Sequence, residues 1–338
     1  MDVRSESGFN PAGSQGRPTL ATLDFADLYV NAAGSGYLRN GASTTLSVVP
    51  PSLNEALLGL VRSLTQRAAA RPDRREFSIS HDGATYRVAL LDAIDGLWFV
   101  LRRGPAHVPM IRELGIHPRV AAELIELGRA NNHGMVIVAG KTGDGKTTTA
   151  CALLAAWLEY FGGVAVTIED PPEFPLHGVK RSGEGYCFQR DVQESGFGEA
   201  LGATMRYAPR FILLGEIRSE AAAREALRAS INGHLVVTTL HAGSIEEAVQ
   251  RLLDLAADGD GRAAVQATLA AGLSGVIHQR LQGDGGARRL EMKFLFPRPS
   301  LADPARAIIR AGRIEQLGTE IESQLNRILN GVGRGWPS

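Results

Sequence analysis

The apolar positions of this chain change their period near residue 104. Before it, Ala26-Asp27-Leu28-Tyr29-Val30 alternates as a half-buried strand does, and Leu57, Leu58, Val61 and Leu64 fall at helical spacing within 53–70. Two strand candidates follow, 76–91 with a turn at Asp82-Gly83, then 96–101. Gly104-Pro105 then breaks the pattern.

Beyond the break, continuous apolar runs alternate with helical stretches. A helix is predicted over 118–129, then strands at 135–139, 164–168, 211–214 and 235–240. Helices follow at 198–206, 219–229, 245–256 and 262–271, and 304–329 reads as helical. Strands that are apolar throughout are those buried on both faces of a parallel sheet. The chain is therefore read as α/β, a helix-covered parallel sheet behind a smaller α+β domain. The expected divisions are a flexible tail 1–19, an N-terminal domain 20–103 and a linker 104–117. They continue with a catalytic domain 118–300, a helical segment 301–330 and a loose end 331–338.

One loop changes the picture from architecture to chemistry. Gly140-Lys141-Thr142-Gly143-Asp144-Gly145-Lys146-Thr147 lies between the predicted strand 135–139 and a helix beginning Thr148-Thr149-Ala150. Strand, glycine loop, lysine, hydroxyl and helix is the order a Walker A phosphate loop requires. Glycines let successive N–H groups point at one anion, and the helix N-terminus adds its partial positive charge there. Gly140, Thr142, Gly143, Gly145, Lys146, Thr147 and Thr148 are thus the expected nucleotide contacts, with Lys146 on the β- and γ-phosphates and Thr147 on Mg²⁺.

Composition narrows the class rather than the function. Lys plus Arg and Asp plus Glu both number 36, so no global charge argues for nucleic acid or an anionic membrane. Two cysteines, Cys151 and Cys187, form neither a disulfide framework nor a Cys-x-x-Cys metal site. No apolar run approaches eighteen residues, so a cytoplasmic protein that meets membranes only through partners is expected.

Charged residues cluster at the predicted strand ends, where α/β sheets build their sites. Glu216 follows Phe211-Ile212-Leu213-Leu214-Gly215, Glu169-Asp170 ends Val164-Ala165-Val166-Thr167-Ile168, and His241 ends Leu235 to Leu240. A carboxylate at Glu216 suits orienting or deprotonating a water, although the position also suits a solvated loop acid. An imidazole at His241 suits a γ-phosphate contact, and equally a buried structural histidine. His234, at the other end of that strand, reads as structural.

Together with the loop, three stretches closely resemble the secretion ATPase superfamily of type II secretion, type IV pili and type IV secretion or conjugation. Thr167 to Phe174 resembles its Asp box, Leu213 to Arg218 its Walker B and Gly233 to His241 its His box. The resemblance is strongest over 111–281. It implies a RecA-like core behind a PAS-like domain, ATP and Mg²⁺ as cofactors, and a cytoplasmic hexameric ring. It implies Glu216 as base, with Lys146, His241, Glu169 and Asp170 catalytic and Asp170 holding Mg²⁺ waters beside Thr147. Arg87, in Tyr86-Arg87-Val88, and Arg102, fifteen residues on, are similar to the family's arginine fingers, although Arg102-Arg103 also suits a solvated strand end. Arg190 and Arg206 resemble family arginines beside the catalytic sheet. Expected partners are further copies of the chain and inner-membrane platform or secretion-complex proteins, with no direct nucleic acid.

Three departures stand out. Asp144 replaces a small residue in the loop and brings negative charge that weakens phosphate binding unless its side chain points outward. Ser219 and Arg210 replace aspartates, which would rewire an interface salt bridge. The cysteine count excludes the four-cysteine zinc module of the assembly ATPases, and residues 305–317 resemble the tail of pilus-retraction ATPases. Competing readings are a nucleotide-binding regulator without efficient turnover and a P-loop small-molecule kinase, in which the His box has no task.

Overall fold

The computed structural model describes residues 20, 23, 25–41, 45–129, 133–180, 183–257, 261–283, 288–300 and 302–330. The expected tail 1–19 and loose end 331–338 lie outside them. The chain forms two compact units, one ending at Arg103 and one starting at Gly104.

Among the described residues the first unit is an antiparallel sheet backed by one helix. Its strands are β1 (Asp27–Asn31), β2 (Gly36–Arg39), β3 (Leu46–Val48), β4 (Glu76–His81), β5 (Ala84–Ala93) and β6 (Gly96–Arg103), in the order β3-β2-β1-β6-β5-β4. Helix α1 (Asn54–Ala69) turns Leu57, Leu60, Val61 and Leu64 onto the sheet face that carries Leu28, Val30, Phe77, Tyr86, Val88, Phe99 and Leu101. On the opposite face, register sets one residue from each of five strands in a row: Arg39, Asp27, Arg102, Arg87 and Ser78. β2 and β3 have no forecast in the sequence reading, because three or four residues carry too little periodicity.

Among its described residues the second unit has eight strands: β7 (Gly134–Gly140), β8 (Gly163–Glu169), β9 (Gly178–Lys180), β10 (Gly185–Asp191), β11 (Phe211–Glu216), β12 (Leu235–His241), β13 (Leu273–Gln282) and β14 (Arg289–Leu295). Their order is β14-β13-β7-β12-β11-β8-β10-β9. The six strands from β13 to β10 are parallel, and antiparallel β14 and β9 close the two edges. This is the RecA-like parallel core expected from the alternating runs. The pleat divides each central strand between two cores. Met135, Ile137 and Ala139 of β7 join one, while Val136 and Val138 join the other.

The helices that fill those cores are α2 (Pro118–Glu126), α3 (Lys146–Phe161), α4 (Phe197–Thr204), α5 (Glu220–Ile231), α6 (Ile245–Ala256), α7 (Arg262–Gly272), α8 (Pro304–Arg310) and α9 (Leu317–Leu329). The segment 304–329, read as helical, holds two helices, interrupted at Gly312, whose φ of +68° is left-handed. Ile111 and Ile116, inside the segment read as a linker, are buried in the core of the second unit. β9, β10, β13 and β14 are further strands the sequence reading lacked. Both cysteines are free and buried. No helix among the described residues is long and apolar enough to cross a membrane.

Candidate functional site

At the carboxyl end of β7 the chain leaves the sheet as a tight loop and re-enters order at Lys146, the first residue of α3. Two glycines make this possible. Gly140 has φ +157°, and a Cβ there would lie 2.5 Å from the Gln279 carbonyl oxygen. Gly145 takes the helix N-cap with φ +79°, and no side chain caps the first turn of α3. First-turn N–H groups have no partner within their own helix, so an uncapped N-terminus at the end of a glycine loop fits an anion. Thr147 and Thr148 present half-exposed side chains from that turn. The Lys146 ammonium donates to the Lys141 carbonyl at 2.9 Å. Burial lowers its pKa, against the pull of Glu216 and Asp144. The lysine thus braces the loop it is expected to serve.

Two neighbouring strands bring their ends to the same place. A bulge at Gly215 sets Glu216 opposite Thr239 of β12, fixed by Thr239 Oγ1 donating to the Gly215 carbonyl at 2.7 Å. His241 ends β12 opposite Gly140. Its Nε2 lies 3.3 Å from Thr142 Oγ1 in the loop and 3.7 Å from Glu216 Oε1. Helix α6 anchors this end of the strand. Arg251 donates to the His241 carbonyl at 3.1 Å, and Ser244 caps the helix by accepting from Glu247 N–H. Loop, Glu216 and His241 therefore converge.

The other expected residues are placed less directly. Glu169, at the end of β8, is buried and accepts from Gln189 Nε2 at 2.9 Å. Burial pushes its carboxyl up to about 7, with Glu173 and Asp191 adding to the rise and the bond from Gln189 opposing it. Asp170 is exposed, and one of its oxygens accepts the Glu194 backbone N–H at 2.6 Å. Arg87 and Arg102 lie opposite one another on β5 and β6 in the first unit. Arg102 Nε donates to Asp27 at 2.9 Å, and Arg39 pairs with that carboxylate from the other side. Arg190 ties β10 to α4 by donating to the Ala200 carbonyl and Thr204 Oγ1. Arg206 is exposed beside the groove between α4 and α5. His234 contacts the Pro209 carbonyl at 2.7 Å.

The three departures make the following contacts. Asp144 does not point outward. It is 9% exposed, and its carboxylate bonds the loop's own Lys141 N–H and, across the sheet, Leu281 N–H. Ser219 caps α5 by accepting from Ala222 N–H, and Arg210 donates to the Phe161 and Gly128 carbonyls while lying over the Phe211 ring.

The sequence reading missed four participants. Arg218 donates to Glu216 Oε2 at 2.8 Å and to Glu194 Oε2 at 2.9 Å. Gln189 holds Glu169, and Gln279 donates to the Asp144 carbonyl at 2.6 Å. Arg218 stood inside the recognised Walker B stretch and was signalled there. Glu194, Gln189 and Gln279 meet their partners only through sheet order, which no local pattern encodes. Among the described residues no group of three or more His, Cys, Asp or Glu forms a metal cage.

Known proteins resemble this chain in sequence and in fold. A family model described as Type II/IV secretion system protein matches residues 66–293. YggR of Escherichia coli, an uncharacterised protein, is 33% identical over 233 residues, covering 68% of this chain and 67% of its own length. The type IV pilus retractation ATPase PilT of Pseudomonas aeruginosa is 33% identical over 256 residues, covering 73% and 69%. Among solved structures, the pilus retraction motor PilT with bound ADP has a TM-score of 0.69 at 27% identity, covering 88% of this chain and 86% of that one. The Legionella pneumophila ATPase DotB, at 18% identity and a TM-score of 0.66, covers 91% and 84% and shares the fold.

Proposed function

We propose, because this chain belongs to the type II/IV secretion system protein family and is an ATPase of that family, that its ATP hydrolysis powers a type IV pilus, secretion or conjugation machine. The observation that carries this reading is the convergence at His241. One imidazole nitrogen lies 3.3 Å from the phosphate loop and 3.7 Å from Glu216. That spacing lets a single side chain register both the γ-phosphate and the group that activates water.

Each side chain then has a task. Backbone N–H groups of Gly143 and of Gly145 to Thr148 cradle the phosphates, and Lys146 moves from the Lys141 carbonyl onto them. Glu216 orients the attacking water and takes its proton. His241 contacts the γ-phosphate, so its loss is felt at the cap of α6. Mg²⁺ suits this site because it binds through few protein ligands and keeps several waters. Thr147 would hold it directly, with Asp170 and Glu169 on its waters, and it would neutralise charge developing on the phosphates.

The reading extends to assembly. The catalytic groups occupy one unit, and the arginine row occupies the other. A ring, expected to be a hexamer, would let Arg87 and Arg102 of one subunit reach the nucleotide of its neighbour. Inner-membrane platform proteins would be the docking partners, from the cytoplasmic side.

Steady-state hydrolysis tests the base. Glu216→Gln should lower kcat by about 10²- to 10⁴-fold while ADP still binds, and Lys146→Ala should lose binding itself. Equal turnover by wild type and Glu216→Gln would remove Glu216 from the role. Mixing inactive Lys146→Ala with inactive Arg87→Ala should restore part of the activity if sites are shared between subunits.

A further inference from the structure

Asp144 is the residue of the loop that does not belong to its usual pattern, and its contacts are the most numerous there. Its N–H donates to the Lys141 carbonyl at 3.2 Å, closing the turn that Lys146 also braces. One carboxylate oxygen accepts Lys141 N–H at 2.7 Å, and the other accepts Leu281 N–H at 3.2 Å. Its carbonyl accepts from Gln279 Nε2 at 2.6 Å, and Gln279 is only 1% exposed.

Strand topology explains why Leu281 needs such a partner. β13 pairs with β7 only as far as His278 opposite Ala139. One residue later β7 turns away into the loop, while β13 runs on to Gln282 paired with β14 on its other side. The side of β13 that faced β7 is left without a strand. The Asp144 carboxylate takes the place of that strand, satisfying the N–H that β7 abandons.

Two physical effects then oppose one another. A carboxylate in the loop repels the phosphates it must admit. A loop already pinned at Lys141, Gln279 and Leu281 loses less conformational freedom on binding them. Both oxygens are occupied by N–H donors on the strand and turn side of the loop, which favours the second effect. We propose that Asp144 is a positioning residue, holding the loop in its phosphate-cradling form through β13 before nucleotide arrives. This rests on the reading of the loop as the nucleotide site.

The test uses the full chain and ADP as probe, with titration calorimetry alongside steady-state kinetics. Asp144→Ser restores a small residue and removes the link to Leu281. Its Kd for ADP and its KM for ATP should rise about tenfold, with kcat falling less than threefold, because pinning acts on binding. Hydrogen exchange at the Leu281 amide should quicken in the nucleotide-free variant. Asp144→Asn keeps the shape but loses the charge and one acceptor, and should bind ADP more weakly than wild type. Unchanged or tighter binding by either variant would show that repulsion governs and would overturn the proposal, as would unaltered exchange at Leu281. Wild-type protein that fails to bind ADP would instead overturn the nucleotide site itself.

Discussion

Arg218 holds Glu216 with one arm of its guanidinium at 2.8 Å and Glu194 with the other at 2.9 Å. Glu216, the base proposed above, therefore shares its carboxylate with a cation that a second carboxylate competes for. Glu194 in turn is fixed through its N–H by Asp170, so the Asp box and the Walker B strand meet at this arginine.

Removing the competitor should move the whole fork onto Glu216 and hold its carboxylate away from a water. Glu194→Gln is expected to lower kcat about three- to tenfold with KM unchanged, in line with the rate cost of perturbing a general base. Stopped-flow or steady-state phosphate release would measure it. In an Arg218→Gln background the same Glu194 substitution should have no further effect. An effect of equal size in both backgrounds would refute the coupling.

Glu169 predicts a pH dependence of stability. Its carboxyl ordinarily titrates near 4.5, and burial in the fold raises it to about 7. Between those values the folded state binds more protons than the unfolded one, so stability falls as pH rises from about 4.5 to 7 and then levels off. The upper limit of this contribution is on the order of 3 kcal/mol. Glu169→Gln should flatten the slope. Thermal melts of the nucleotide-free protein should show the variant gaining on wild type between pH 5 and 7.5. A constant gap over that range would contradict the assignment.

Arg210 predicts a purely structural defect. Its guanidinium satisfies the Phe161 carbonyl at the end of α3 and the Gly128 carbonyl, each at 2.7 Å. Arg210→Ala should cost about 1.5–3 kcal/mol in denaturant unfolding, the range for hydrogen bonds to a charged group. kcat measured well below the transition should stay close to wild type. Arg210→Lys should recover only part of the loss, because an ammonium cannot reproduce the planar fork.

The sequence by itself determined the glycine loop between strand and helix, the α/β class and the central strands. Those features are local: the glycine spacing of 140–147 and the apolar runs at 135–139, 211–214 and 235–240 state their own conformation. It also picked out Glu216 and His241 as strand-end groups, because a strand that stops marks where a sheet opens to ligand. It did not reveal β10 or β13, whose stretches Cys187-Phe188-Gln189-Arg190 and Ile277-His278-Gln279-Arg280 mix polar with apolar residues at no clear period. Those strands carry Gln189, Gln279 and Leu281, the partners of Glu169 and Asp144. Only the order β13-β7-β12-β11-β8-β10 brings residues more than a hundred positions apart, such as Asp144 and Leu281, into one hydrogen bond. Whether a carboxylate in the loop is a repelling charge or a brace depends on which N–H groups face it, and that is a property of the packed sheet.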